Sequence, residues 1–365
     1  MRVNLRIPGP IPVPDDILAE MAHPMINHRG PEFKEMLFRV TDGLKQVFET
    51  KGDVFIMTTS GTGAMEASVV NTLSPGDRVL CVTVGAFGDR YGEIAAAYGA
   101  EVVRLEFPWG TAADPEKVRE ALRKDAKVKA VLVTHNETST GVGNDLEAIA
   151  KAVHGASDAL VLVDGVSSVA SIPVRTDAWG LDVVATASQK GWMLPPGLAF
   201  VSLSQRAWKA HAVAKMPRYY FDASAYKKYF EIGQPPYTPG VSLYFALDLA
   251  LKQLLAEGLP PVYARHKRIA QMTRDGLKDM GLSVFPDERA ASETVTAVTV
   301  PEGVDAAKVV EALRAQHGVV IAGGQEKLKG KIFRIGHMGR VSSDEIRQTL
   351  TALAATLPKA VAARA

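Results

Sequence analysis

The chain has 365 residues, 47% hydrophobic and 22% charged, the composition of a folded globular protein and not of a disordered, collagen-like or coiled-coil one. Its 42 Lys and Arg against 40 Asp and Glu leave a formal charge of +2, too weak a field to gather a polyanion, which argues against nucleic acid as a partner. No uncharged apolar run nears the roughly 18 residues that cross a bilayer, and the opening MRVNLRIPGP lacks the apolar stretch of a signal peptide, so a cytoplasmic location is the expectation. In chain order, short β-branched runs alternate with amphipathic stretches from Asp53 to about Ser202. The runs are Val54 to Met57, Arg78 to Val84, Glu101 to Leu105, Lys129 to Thr134, Ala159 to Asp164, Leu181 to Thr186 and Leu198 to Ser202. Between them, apolar spacing near 3.6 predicts helices over Ala64 to Leu73, Gly88 to Tyr98, Pro115 to Lys124 and Asp145 to Val153. This alternation predicts an α/β domain, a mostly parallel seven-stranded sheet wrapped by helices on both faces.

After Pro239 the texture changes. Helices are predicted over Val241 to Glu257 and Pro261 to Met280, then short strands at Leu282 to Phe285, Thr294 to Val300 and Lys331 to Ile335, with further helices over Asp305 to His317 and Ser343 to Leu357. The division this implies is a large domain over residues 12–255 and a smaller α+β domain made from residues 1–11 and 256–365, its Ala-rich tail from Lys359 to Ala365 frayed. The single cysteine, Cys81, lies in the apolar run RVLCVTV, and reads as a buried structural thiol.

Ligands of open α/β sheets sit beyond the carboxyl ends of the strands, so the residues just after each run carry the most information. Thr59-Ser60-Gly61-Thr62-Gly63 joins a strand end to a helix start, where small residues and free backbone N–H groups suit an anion, or a simple Ser or Thr N-cap. Thr134 to Gly141 is a polar cluster closing the strand AVLVT. Asp164 emerges from a run of five apolar residues, and Lys190 follows a later strand. Singly, an Asp there is a turn former and a lysine is usually solvated. Together, an anion cradle, a carboxylate and an amine on one sheet edge match pyridoxal phosphate. That cofactor needs its phosphate held, its ring nitrogen kept protonated and its aldehyde condensed with an amine.

Over nearly its whole length the chain resembles the class V aminotransferases of the fold type I pyridoxal phosphate enzymes, in the alanine:glyoxylate and serine:pyruvate branch. The motifs that carry the resemblance are Pro8-Gly9-Pro10, His28 to Phe33, Ser60 to Gly63, Gly85 to Gly88, His135 to Gly141, Asp164 to Ser168, Ser188-Gln189-Lys190, Tyr237-Thr238-Pro239 and Phe333 to Gly339. The resemblance implies that Lys190 binds the cofactor covalently and moves the proton between substrate Cα and cofactor C4′. It implies that Asp164 pairs with the ring nitrogen, that Ser60, Gly61, Thr62 and Gln189 hold the phosphate, that Phe87 and Val166 pack on opposite ring faces, and that Thr138 lies near the phenolic oxygen. Arg334 is implied to clamp the substrate α-carboxylate, with Gly9 and His28 beside the substrate. Thr238 is implied to reach the phosphate of a neighbouring subunit, hence a homodimer with shared active sites. Some relatives add a partner-chain tyrosine where this chain has Pro235, with Tyr237 close by.

The expected function is a ping-pong transamination from a small amino acid such as alanine or serine to glyoxylate or pyruvate. A dicarboxylic donor such as aspartate would need a second cation, for which Arg29, Arg218 and Arg340 are the candidates. A lyase or desulfurase of the same fold is the alternative. A desulfurase would require a nucleophilic Cys on a mobile loop, and its lysine is usually preceded by His, where this chain has Gln189. A catalytically silent scaffold of the same fold is the third reading.

Overall fold

The computed structural model describes residues 3–357; the Ala-rich tail lies outside the described residues. Strand β1 is Asn4–Leu5 and helix α1 is Asp15–Glu20. Helix α2, Pro31–Phe48, starts on a proline and buries Phe33, Met36, Leu37, Val40, Leu44, Val47 and Phe48. That spacing is helical, yet the helix was not among the predicted elements.

The sheet domain follows in order: β2 (Asp53–Met57), α3 (Gly61–Val70), β3 (Arg78–Thr83), α4 (Ala86–Ala97), β4 (Glu101–Glu106), α5 (Pro115–Lys124) and β5 (Val128–Thr134). A two-strand excursion, β6 (Asn136–Glu137) and β7 (Val142–Gly143), precedes α6 (Leu146–His154), β8 (Leu160–Asp164), β9 (Val183–Ala187) and β10 (Ala199–Leu203). Seven of these strands form one sheet in the order β2-β10-β9-β8-β5-β3-β4. All are parallel except β10, which runs antiparallel to both its neighbours. The predicted runs are the strands found, with ends differing by a residue or two.

The central strands are apolar on both faces, and alternation sorts their side chains between two cores. Val131, Val133, Val161, Val163 and Val184 pack into one, with α2 residues such as Phe48 and with Trp192. Ala130, Leu132, Leu160, Leu162, Val183 and Ala185 pack into the other, against α3 and α4 residues such as Met65 and Tyr91. Edge strand β4 is largely exposed and carries Glu101, Arg104 and Glu106, charges that discourage edge-to-edge pairing.

Helices α7 (Gln205–His211), α8 (Ala223–Glu231), α9 (Val241–Glu257) and α10 (Leu259–Asp279) lead to β11 (Val295–Thr299), α11 (Ala306–His317), β12 (Val319–Val320), β13 (Ala322–Gly323), β14 (Ile332–Gly336) and α12 (Ser343–Thr356). The strand predicted at Leu282 to Phe285 is reduced to a single bridge between Val284 and Val298. Strands β11, β14 and β13 form an antiparallel sheet, and β1 pairs in parallel with β12. A separate apolar core here includes Leu277, Leu313, Phe333, Ile335 and Leu353. Among the described residues no helix is long and apolar enough to cross a membrane.

Candidate active site

Because β2, β5, β8 and β9 run the same way, their carboxyl ends lie on one edge, and the sequence that follows each strand converges there. After β2 the chain enters α3 at once, three residues earlier than periodicity predicts. Ser60 is its N-cap, with Oγ accepting from Gly63 N at 3.4 Å. Ser60, Gly61 and Thr62 line a cavity of about 240 Å³, presenting a helix N-terminus whose N–H groups and dipole favour an anion.

Asp164 closes β8 and lines the same cavity. Its Oδ1 accepts from Val166 N at 2.9 Å, and its Oδ2 from Thr134 Oγ1 at 3.4 Å. Burial pushes the carboxyl from its ordinary 3.8 up to about 7; the nearby Glu137 adds to that rise, while the Val166 amide and Lys190 oppose it. Lys190, three residues past β9, is buried in the cavity wall, and burial draws its amine down to about 8. Asp164 works against that fall and Arg334 adds to it. Lys190 Nζ donates to the Pro8 carbonyl at 2.5 Å. The N-terminal segment reaches this close because residue 9 is glycine: its φ is +142°, and a Cβ there would stand 2.5 Å from Lys190 Nζ. Gly9, Phe87, Thr138, Val166 and Gln189 complete the cavity's predicted lining.

Arg334 does not line the cavity; it stands behind Thr138. Alternation along β14 explains its direction: Phe333 and Ile335 point into the small core, so Arg334 points away from it. Its Nη1 donates to the Thr138 carbonyl at 2.9 Å and its Nε to the Gly323 carbonyl at 3.0 Å; among the described residues Nη2 makes no hydrogen bond. Burial draws its guanidinium down to about 10. His28 is half-buried and not in the lining, and Thr238 is exposed in the loop before α9. The N-cap of α9 is Gly240, two residues after Thr238.

None of the three predicted second cations reaches the cavity. Arg29 hydrogen-bonds Gln234, Arg218 bonds the Val70 and Ala214 carbonyls, and Arg340 engages Asp16 and Gln253. Arg90 does line it, with its guanidinium 4.9 Å from the Phe87 ring centroid, and the sequence reading missed it. Its signal was its place three residues after Phe87 on one helix, which puts both on one face. Glu137 and Pro8 were also passed over as individual residues.

These residues suit pyridoxal phosphate. The N-terminus of α3 offers N–H groups to its phosphate, Asp164 a carboxylate to its ring nitrogen, and Lys190 a partly deprotonated amine to its aldehyde. The buried Oε1 of Gln189 has no hydrogen-bond partner, a polar atom left for a ligand.

The family model described as aminotransferase class-V matches residues 18–343. The chain is 40% identical over 343 residues to the L-aspartate-glyoxylate aminotransferase of Paracoccus denitrificans, covering 92% of this chain and 86% of that protein. It is 44% identical over 358 residues to a protein of Synechococcus sp. named soluble hydrogenase, small subunit, covering 98% and 93%. Among solved structures, an alanine-glyoxylate aminotransferase from Nostoc sp. superposes with a TM-score of 0.94 at 31% identity, covering 98% of this chain and 96% of that one.

Proposed function

The chain belongs to the class-V aminotransferase family, and from that premise we propose that it transfers the amino group of a small amino acid, alanine or serine, to glyoxylate or pyruvate, using pyridoxal phosphate held in the cavity described above. The observation that carries the reading is the convergence of Asp164, Lys190 and the N-terminus of α3 on one cavity. When bound, pyridoxal phosphate supplies an electron sink that lets the substrate Cα–H bond break heterolytically.

The protein's own residues do the rest. Ser60, Gly61, Thr62 and Gln189 would hold the phosphate, Asp164 would keep the ring nitrogen protonated, and Phe87, Val166 and Thr138, which line the same cavity, would pack around the ring. Lys190 would take the proton from substrate Cα and return it to the cofactor side, a task for which an amine drawn down to about 8 is matched. Arg334, standing behind Thr138 with Nη2 free of hydrogen bonds among the described residues, would meet the α-carboxylate of a substrate reaching past Thr138, with Gly9 on the cavity side and His28 farther out. The reaction runs in two half-reactions, the first oxo acid leaving before the second arrives.

Exposed Thr238 and the 80% exposed Tyr219 near it support a homodimer in which Thr238 meets the partner's phosphate. We also propose the cytoplasm as its location, and the division into residues 12–255 and residues 1–11 with 256–365, which the separate core around Phe333 supports. Cys81 lies in β3, donates to the Gly88 carbonyl at 3.3 Å and is pushed by burial up to about 12, so it does not suit the nucleophile of a desulfurase. A dicarboxylic donor remains the second reading, favoured by Arg90 on the cavity wall.

The deciding experiment mixes the cofactor-loaded protein with single amino acids and follows its visible absorbance. Alanine or serine should bleach the band, and glyoxylate should restore it. Bleaching by aspartate alone would replace the small-donor reading with the dicarboxylic one. A second expectation concerns the clamp: Arg334→Ala should raise KM for every α-carboxylate substrate by roughly ten- to a hundredfold, the effect of one lost charge-assisted contact. Steady-state kinetics with alanine and glyoxylate test it, and a KM change for only one substrate would contradict a shared clamp.

A further inference from the structure

One buried charge beside the cavity has no task in the chemistry above. Glu137, in β6, is fully buried, and among the described residues no cation forms a salt bridge with it. Its carboxylate accepts four hydrogen bonds instead. Oε2 accepts from Phe87 N and Gly88 N, both at 3.0 Å, and Oε1 accepts from Ser139 N at 3.0 Å and Ser139 Oγ at 2.6 Å. Ser139 Oγ in turn accepts from Ala86 N at 3.0 Å.

The first amides of α4 are therefore capped from some fifty residues away. The helix's own N-cap is Gly85, with no side chain to offer, and a Cβ there would stand 2.5 Å from Glu137 Cγ. An anion at a helix N-terminus is also favoured by the dipole. Burial pushes the Glu137 carboxyl above its ordinary value while the donors work against that rise. Of its four partners only Ser139 Oγ could accept a hydrogen from a protonated carboxyl; the other three, Phe87 N, Gly88 N and Ser139 N, each need an acceptor oxygen in either protonation state.

Both walls of the cavity hang on this side chain. The first two turns of α4 carry Phe87 and Arg90 into the lining. On the other side, the next residue is Thr138, which lines the cavity and whose carbonyl holds Arg334 Nη1 at 2.9 Å. We propose that Glu137 is a positioning residue, a carboxyl cap lent to α4, that keeps the aromatic wall at Phe87 and the guanidinium of Arg334 in register with each other. The proposal rests on the functional reading above for what Phe87 and Arg334 bind.

Glu137→Gln tests it, because a carboxamide keeps one acceptor oxygen and turns an NH₂ donor toward either the α4 amides or Ser139. Full-length wild type and E137Q are compared, with and without cofactor, by amide hydrogen exchange, by equilibrium cofactor affinity, and by kcat and KM for alanine and glyoxylate. Exchange should quicken at residues 86–90 and leave β5 and β8 protected. Cofactor affinity should fall and both KM values rise, each by roughly tenfold, with kcat within about threefold of wild type. Wild-type exchange and affinity would overturn the proposal, and so would faster exchange spread evenly over the sheet, the mark of a general structural role. If E137Q does not fold, Ser139→Ala keeps the buried carboxylate and should free the Ala86 amide alone; unchanged exchange there would equally overturn the cap. Exchange and cofactor affinity need no substrate, so they stand or fall apart from the transaminase reading.

Discussion

Replacing Lys190 with alanine should lower transamination by roughly ten-thousand-fold, the upper range of what a positioned proton-transfer group contributes. The residue sits where such a group has to be: buried in the cavity wall, its amine drawn down to about 8 and its Nζ anchored on the Pro8 carbonyl, against which Gly9 leaves no room for a side chain. A solvated lysine near its ordinary 10.5 would be almost wholly charged at neutral pH and unable to take a proton. Single-turnover measurement of the alanine half-reaction tests the expectation, and the cavity left by K190A should admit a small primary amine that restores part of the rate. A variant that transaminates at the wild-type rate would remove Lys190 from the chemistry.

Asp164→Asn should cost on the order of a hundred- to a thousandfold in kcat, the range seen when one preorganised electrostatic contact to a reacting group is lost. The isostere keeps the shape of the β8 terminus but cannot hold a proton on a ring nitrogen. The same substitution should stabilise the cofactor-free protein. The folded-state carboxyl is raised from 3.8 to about 7, so whatever stability Asp164 contributes is fully present below pH 4 and is lost as pH rises through 7. Asparagine has no such loss. Thermal melts of the cofactor-free proteins should therefore diverge between pH 4 and 7, with the variant higher above pH 7 and the two converging at low pH. Parallel melting curves across that range would mean that Asp164 is not held in the folded state as burial dictates.

Much of the fold was legible because it is written in short-range patterns. Runs such as Leu160 to Asp164 are apolar at every position, which only a strand covered on both faces allows, and each is bounded by residues that cannot continue it. The missed helix Pro31–Phe48 was equally legible in its spacing and went unread beside the motif it begins in. Helix α4 begins two residues before its periodicity starts for a different reason: its first amides are satisfied by Glu137 and Ser139, far along the chain. The commitment of Arg29, Arg218 and Arg340 to partners distant in sequence was invisible for the same cause.

Sequence alone determined the sheet domain and marked Ser60 to Thr62, Asp164 and Lys190 at the ends of its strands, because each depends on residue type and spacing within one or two elements. Tertiary structure alone decided that Lys190 is held by Pro8, that Arg334 stands behind Thr138, that Arg90 reaches the cavity where Arg29, Arg218 and Arg340 do not, and that Glu137 caps α4. Each of these is a contact between distant segments made in a dry interior, where an unpaired polar group is costly and the partner that satisfies it follows no sequence period.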